Sequence, residues 1–406
     1  MDLEGILAYP AERARQGEPE FEATYLGILA RFSRKYRRYR PLIALLEGRP
    51  GTIRKAAPGG ILFLGTPFLE LMLATAAHLP VATLAQDERE LRTARRQAIP
   101  RRLAWRWKSD LYRARTADSA RSRRRLLERT VEDIASILGS SAPRAVVLKN
   151  DSLFLERAVI AAARSAGIPT VTIQHGLFMA AAGSHTWDGR WTDHMLVWGE
   201  HFRDLYLAEG MVPEGRIHLL GYPFPVPAGV GRGRVPPRAL CLLGQPWELN
   251  SEALRAEKHR VIGELLAGAP RHGLSLDYRP HPAESREDLR AAFPSLRLTG
   301  EEEPLTETIR RRDLFLSWTS TALIEAALQG RSAVQIGSEV IPMDDFGAVG
   351  ACHSIPGDRE GIARFLEGVE RGEYAPRPVS DRYLRRDHDV AETFSAILGK
   401  IIGPGA

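Results

Sequence analysis

Short apolar runs that stop at glycine, proline or polar residues alternate with longer stretches of helical period along most of the chain. GGILFLGTP (59–67) and RAVVLKNDS (144–152) have the β-branched, bounded character of buried strands. Between them, FLELMLATAAHLPVATLA (68–85) reads as a buried helix followed by a strand. It is interrupted by Glu70, His78 and Pro80, and it is too short and too polar to span a bilayer. LFLERAVIAAARSAG leads from the second run to IPTVTIQHG (168–176), with Gly167 closing the helix and Pro169 opening the strand, which makes one βαβ unit. HMLVWGEHFRDLYLAEG (194–210) and RIHLLGYP (216–223) add two further strands and an amphipathic helix.

The period then breaks. PFPVPAGVGRGRVPP (223–237) is crowded with proline and glycine and reads as a linker. After it the alternation restarts with strands at 239–246, 274–280, 314–318 and 332–337 and helices near 250–268, 285–292 and 321–330. The pattern predicts an α/β protein of two doubly wound, Rossmann-like domains facing each other across a cleft. The domains are expected at 1–225 and 238–380, joined by 226–237, with a helical segment at 381–406 crossing back to the first.

Composition supports a folded, soluble chain: of 406 residues, 44% are hydrophobic and 26% charged. The two cysteines, Cys241 and Cys352, are far apart and lack metal-ligand spacing, which argues for a reducing compartment and against zinc. The amino terminus carries acids and lacks a basic and then apolar leader, so a cytoplasmic location is expected. Net charge is +6 but concentrated. Between Arg92 and Arg129 basic residues far outnumber the three acids Asp110, Asp118 and Glu128. A solvated helical face explains this as well as a partner does. Trp105 and Trp107, beside Arg106 and Lys108, turn the reading towards a peripheral contact of 92–129 with the inner face of the membrane. Nothing resembles a nucleic-acid module, so no nucleic-acid partner is expected.

Three strand exits carry polar residues suited to chemistry. Gln174-His175-Gly176 ends one strand, and a histidine there can exchange a proton near neutrality. Arg279-Pro280-His281-Pro282 ends another, its two prolines stiffening the exit around His281. Ser317, Thr319, Ser320 and Thr321 lead into a helix whose N-terminus favours an anion, with capping by Ser320 or Thr321 expected in any case. Glu325, inside that helix, could accept from a ribose diol or serve only as a helix-dipole partner. Gly244, closing the strand of 239–246, joins the nucleotide-binding set. Glu301, Glu302 and Glu303 are assigned no chemistry, and Asp344 and Asp345 read as exposed.

In this order the motifs resemble those of bacterial GT-B glycosyltransferases of surface-polysaccharide synthesis over residues 144–337. They are most similar to the sialyl- and Kdo-transferases with an HP motif that use CMP-sugars, and CDP-glycerol glycerophosphotransferases share a similar arrangement. The resemblance implies that His281 contacts the donor phosphate, with Ser320 and Thr321 as the hydroxyl pair on it. A protonated His281 would then stabilise the departing phosphate. His175 corresponds to a general base on the acceptor. The acidic pair before glycine found in sialyltransferases is missing; Asp188-Gly189 comes nearest and lacks the preceding acid. The base therefore stays open among His175, Asp188 and Asp151. The implied partners are a nucleotide sugar and a lipid-linked glycan, with no cofactor and no metal. A CDP-glycerol or UDP-hexose transferase, or a scaffold without turnover, are the alternatives.

Overall fold

A computed structural model describes residues 3–8, 21–47, 59–176, 189–210, 212–226, 235–246 and 251–403. Its contacts divide the chain into two units. Described residues up to His175, from Gly189 to Phe224 and from Arg385 onward form the first; Gly176 and those from Pro225 to Leu384 form the second.

The first unit is built on seven parallel strands: β1 (Ile61–Leu64), β2 (Val81–Ala85), β3 (Arg101–Leu103), β4 (Ala145–Leu148), β5 (Thr170–Ile173), β6 (His194–Val197) and β7 (Ile217–Leu219). They lie in the order β3-β2-β1-β4-β5-β6-β7. Ile61 is in register with Val81 on one side and Ala145 on the other. Every residue of β1, β2, β4 and β5 is buried, as expected of a parallel sheet covered on both faces. The chain leaves β1 in opposite directions along the sheet, so β1 and β4 flank a topological switch point. The helix Val390–Ile402 packs into this unit through Phe394, 6.3 Å from Phe63 between ring centroids.

The basic segment is not a run but a succession of elements. The helix Glu88–Arg96 is capped by Asp87, β3 follows, and then come the helices Trp105–Arg115 and Ala120–Ser141. At helical spacing, Trp107, Leu111 and Ala114 share the buried face. Trp105 and Trp107 are 3% and 1% exposed, the latter in a core with Leu111, Leu127 and Val131. The membrane contact expected of these indoles is corrected accordingly: they are sealed in the unit, while the exposed residues of the segment include Arg92, Arg95, Arg96, Arg124, Arg125 and Arg129 beside Asp118 and several neutral residues.

On neighbouring strands, His194 Nδ1 and His218 Nε2 lie 3.1 Å apart. Burial, then His194 and Lys400, push the His218 imidazole down to about 4 from 6.5. Burial and Arg216 lower His194 against the pull of Asp193. As the pH falls the unfolded chain takes up its proton first, so stability present above pH 6.5 drains away between 6.5 and about 4. At 1.36 kcal/mol per pKa unit, screened at half-buried rings, the expected loss is about 1–2 kcal/mol. Urea unfolding across this range should show it, and His218→Gln should flatten the slope; an equally steep slope in the variant would reject the assignment.

The second unit holds six parallel strands: β8 (Ala239–Leu243), β9 (Ser275–Arg279), β10 (Arg297–Leu298), β11 (Leu314–Ser317), β12 (Ser332–Ile336) and β13 (His353–Ile355). Their order is β10-β9-β8-β11-β12-β13, with the switch point between β8 and β11. The helix Glu252–Gly268 buries Leu254, Val261, Ile262 and Leu265 against this sheet's core.

Candidate functional site

In the second unit the residues singled out from the sequence gather at the carboxyl ends of β8, β9 and β11, the edge where open α/β sheets bind ligands. β9 alternates: Leu276 and Tyr278 point into the core, while Ser275, Asp277 and Arg279 are partly exposed. The chain then turns at Pro280, and His281 is exposed. His281 N donates to Glu284 Oε2 (2.5 Å), Glu284 N donates to His281 O (2.9 Å), and Ala283 N donates to His281 Nδ1 (3.1 Å). The turn that presents the ring is therefore closed by hydrogen bonds as well as by prolines.

Beyond β11, Ser320 caps the helix Thr321–Leu328. Its hydroxyl accepts from Ala322 N at 3.3 Å and its carbonyl from Leu323 N at 3.0 Å. Thr319 and Thr321 on either side are half-buried. Burial pushes the Glu325 carboxyl up, and Arg279 is the charge that pulls it back, so this helix and the exit of β9 lie within electrostatic reach.

Three members of the expected set do other work. Ser317 is fully buried and its hydroxyl donates to Leu243 O (3.0 Å), which ties β11 to β8 instead of facing a ligand. Arg279 Nη1 donates to Glu303 O (2.9 Å) and Thr308 Oγ1 (2.6 Å), bracing the start of the helix Leu305–Arg311. Gly244 is explained by packing: a Cβ there would fall on the Glu284 carboxylate and lie 2.7 Å from the Tyr278 hydroxyl.

Beneath the His281 turn lies a group that the sequence reading passed over. Lys258 and Glu284 form an ion pair at 2.8 Å with their side chains 1% and 0% exposed. Tyr278 OH donates to the same Glu284 oxygen at 2.6 Å, and Lys258 Nζ also donates to Gln245 O at 3.2 Å. One signal was available: Lys258 stands at helical spacing with Leu254, Val261 and Leu265, a cation on an apolar stripe.

In the first unit, β5 delivers His175 to the strand exit, where it is half-buried. Gln174 is corrected from a cleft residue to a structural one. It is fully buried, its Oε1 accepting from Trp198 N (3.0 Å) and its carbonyl from Trp198 Nε1 (2.8 Å). Gly176, partly exposed, follows His175 in the chain and is grouped with the second unit. Asp151 is also fully buried; its Oδ2 accepts from Trp191 N (2.6 Å) and Thr192 N (3.1 Å), which fixes that loop. Asp188 lies outside the described residues. A second buried ionisable group sits at the ends of β2 and β4. Lys108 Nζ donates to Gln86 O (3.2 Å) and lies 4.3 Å from the Phe32 ring, while Gln86 Nε2 donates to Glu156 Oε1 (3.1 Å). Desolvation lowers Lys108 and raises Glu156, and each charge opposes the shift of the other. Among the described residues, no His, Cys, Asp and Glu side chains group so as to hold a metal ion.

No protein-family model matches the chain, and no curated protein matches it. Solved structures do. The UDP co-structure of S. aureus MnaA is 11% identical, covering 84% of this chain and 96% of that one at a TM-score of 0.56. The UDP-GlcNAc 2-epimerase from Methanocaldococcus jannaschii is 12% identical, covering 84% and 99% at 0.53. The apo form of the lipopolysaccharide outer core galactosyltransferase WaaB is 12% identical, covering 84% and 99% at 0.51. At such identities the likeness is one of fold, and together with the two strand orders it shows the GT-B fold.

Proposed function

We propose that the chain is a nucleotide-sugar-dependent glycosyltransferase whose second unit holds the donor. The observation that carries the reading is the grouping at one sheet edge of the exposed His281 after β9 and the hydroxyl-rich helix start at Ser320-Thr321 after β11, on either side of β8. Both would meet a diphosphate. As the glycosyl bond breaks, negative charge grows on the departing phosphate, and donors aimed at it in advance lower the barrier. Glu325, whose carboxyl is only partly covered, is placed to accept from a ribose diol. The first unit would take the acceptor, a lipid-linked glycan, with His175 as base. Asp151 already serves two backbone amides, which leaves it less suited to accept a substrate proton.

The donor is proposed to be a UDP-hexose before a CMP-sugar. The three similar structures named above are a UDP co-structure, a UDP-GlcNAc 2-epimerase and a galactosyltransferase. In thermal unfolding with UDP, CDP and CMP in parallel, UDP should raise the midpoint most, since a ligand at 100 times its Kd stabilises by about 2.7 kcal/mol. If no nucleotide raises it, the donor seat is refuted and a scaffold without turnover is favoured. Conversion of UDP-GlcNAc with no acceptor added would favour a second reading, suggested by the M. jannaschii likeness, in which the same seat serves a 2-epimerase. No helix among the described residues is long and apolar enough to cross a membrane. We assign the approach to lipid to the exposed arginines of 92–129, so sedimentation with anionic vesicles should weaken as salt rises.

A further inference from the structure

The donor seat leaves a fully buried ion pair unexplained. Glu284 receives three donors on one carboxylate: Lys258 Nζ (2.8 Å) and Tyr278 OH (2.6 Å) on Oε1, and His281 N (2.5 Å) on Oε2. Through them it joins the helix Glu252–Gly268, strand β9 and the His281 turn, and Lys258 extends the linkage to Gln245, just beyond β8. Gly244 leaves the room that this carboxylate fills. Burying both charges costs about as much as their attraction returns, so the pair is poorly explained as a source of stability. What Glu284 reaches is the turn: its Oε2 accepts from His281 N and its N–H donates to His281 O, so this residue holds the peptides on both sides of His281.

What that turn does to the ring is specific. Ala283 N donates to His281 Nδ1, so Nδ1 offers its lone pair and the ring proton rests on Nε2. A proton added to Nδ1 would break this bond. We infer that Glu284, seated by Lys258 and Tyr278, is a positioning residue that holds His281 as a neutral imidazole with its Nε2–H turned outward as a donor to a phosphoryl oxygen of a nucleoside diphosphate. The ligand in this statement rests on the donor reading above; the tautomer does not, being a property of the unliganded chain. The phosphate is then met by the dipole of a neutral ring and by the helix start at Ser320, and not by the protonated His281 considered from the sequence.

The test is long-range proton–nitrogen NMR of the full chain, with the His281 ring identified by its absence in His281→Gln, together with UDP titration calorimetry. The expected spectrum of the unliganded protein at pH 7.5 is a single neutral ring protonated on Nε2. Glu284→Gln should turn it into a mixture of tautomers and weaken UDP on the order of tenfold or more. Because Glu284→Gln takes the Glu284 charge from beside the buried Lys258 and can unfold the chain, Tyr278→Phe is the second variant. It removes one donor to the carboxylate at nearly constant volume, and a partial shift in tautomer with a several-fold weaker UDP Kd is expected. A wild-type ring protonated on Nδ1, or a Tyr278→Phe protein with wild-type tautomer and wild-type UDP affinity, would overturn the inference even where His281→Ala abolishes UDP binding. A fixed Nε2–H ring that depends on Tyr278, in a chain that binds no UDP, would uphold the positioning role and reject the donor reading instead.

Discussion

Glu284→Ala is expected to destabilise the second unit by about 3–5 kcal/mol, the range for removing one partner of a buried ion pair. Lys258, 1% exposed, would keep Gln245 O as an acceptor while losing the Glu284 charge. Tyr278 OH and His281 N would each lose an acceptor as well. Removing the other partner should be milder. In Lys258→Met the carboxylate keeps two donors and can escape its charge by taking up a proton, since burial already pushes Glu284 above its ordinary value while Lys258 is the main group pulling it down. Measured against wild type, that variant should gain stability as the pH falls towards 5, because a carboxyl whose folded pKa is raised binds its proton first in the folded state. Urea unfolding of both variants at pH 5 and 7.5 measures this. A Glu284→Ala protein as stable as wild type would show that the pair is not closed in solution.

His281→Ala should slow transfer from the donor by about 10²–10³-fold, equivalent to about 2.7–4 kcal/mol, the range for removing one preorganised donor to a developing anion. Stability should hardly change. The ring is exposed, and the bond it accepts from Ala283 N is local to the turn. This separates the two experiments: the Glu284 variant is expected to lose stability, whereas the His281 variant is expected to lose turnover. Steady-state turnover of a UDP-hexose, followed as UDP release, reads the second effect. Full turnover in a normally folded His281→Ala protein would remove this histidine from the mechanism.

The strands were legible because a parallel sheet covered on both faces needs short, continuous apolar runs, and GILFL, AVVL, TVTI, ALCLL and LFLSW are such runs. The helices between 88 and 141 were not. Their arginines hide a narrow apolar stripe, and the charge pattern suggested one basic segment where the chain folds three helices and a strand. The tryptophans misled for the same reason. An indole beside an arginine suits either an interface or a core, and only the partners of Trp107, namely Leu111, Leu127 and Val131, decide between them.

By itself the sequence determined the α/β alternation on either side of the 223–237 break, the stiff exit around His281 and the hydroxyl-rich helix start at Ser320, because each depends on neighbours a few residues away. Tertiary structure alone decided which polar residues at those exits face solvent. Ser317 and Gln174 turn inward because a strand covered on both faces buries its polar side chains as readily as its apolar ones, provided a carbonyl or amide of the next strand receives them. Lys258, Tyr278 and Glu284 meet only because the helix Glu252–Gly268 lies along β8 and β9. No local pattern encodes a lysine 26 residues away meeting the carboxylate that also takes Tyr278 OH and His281 N, and that meeting is what seats the His281 turn.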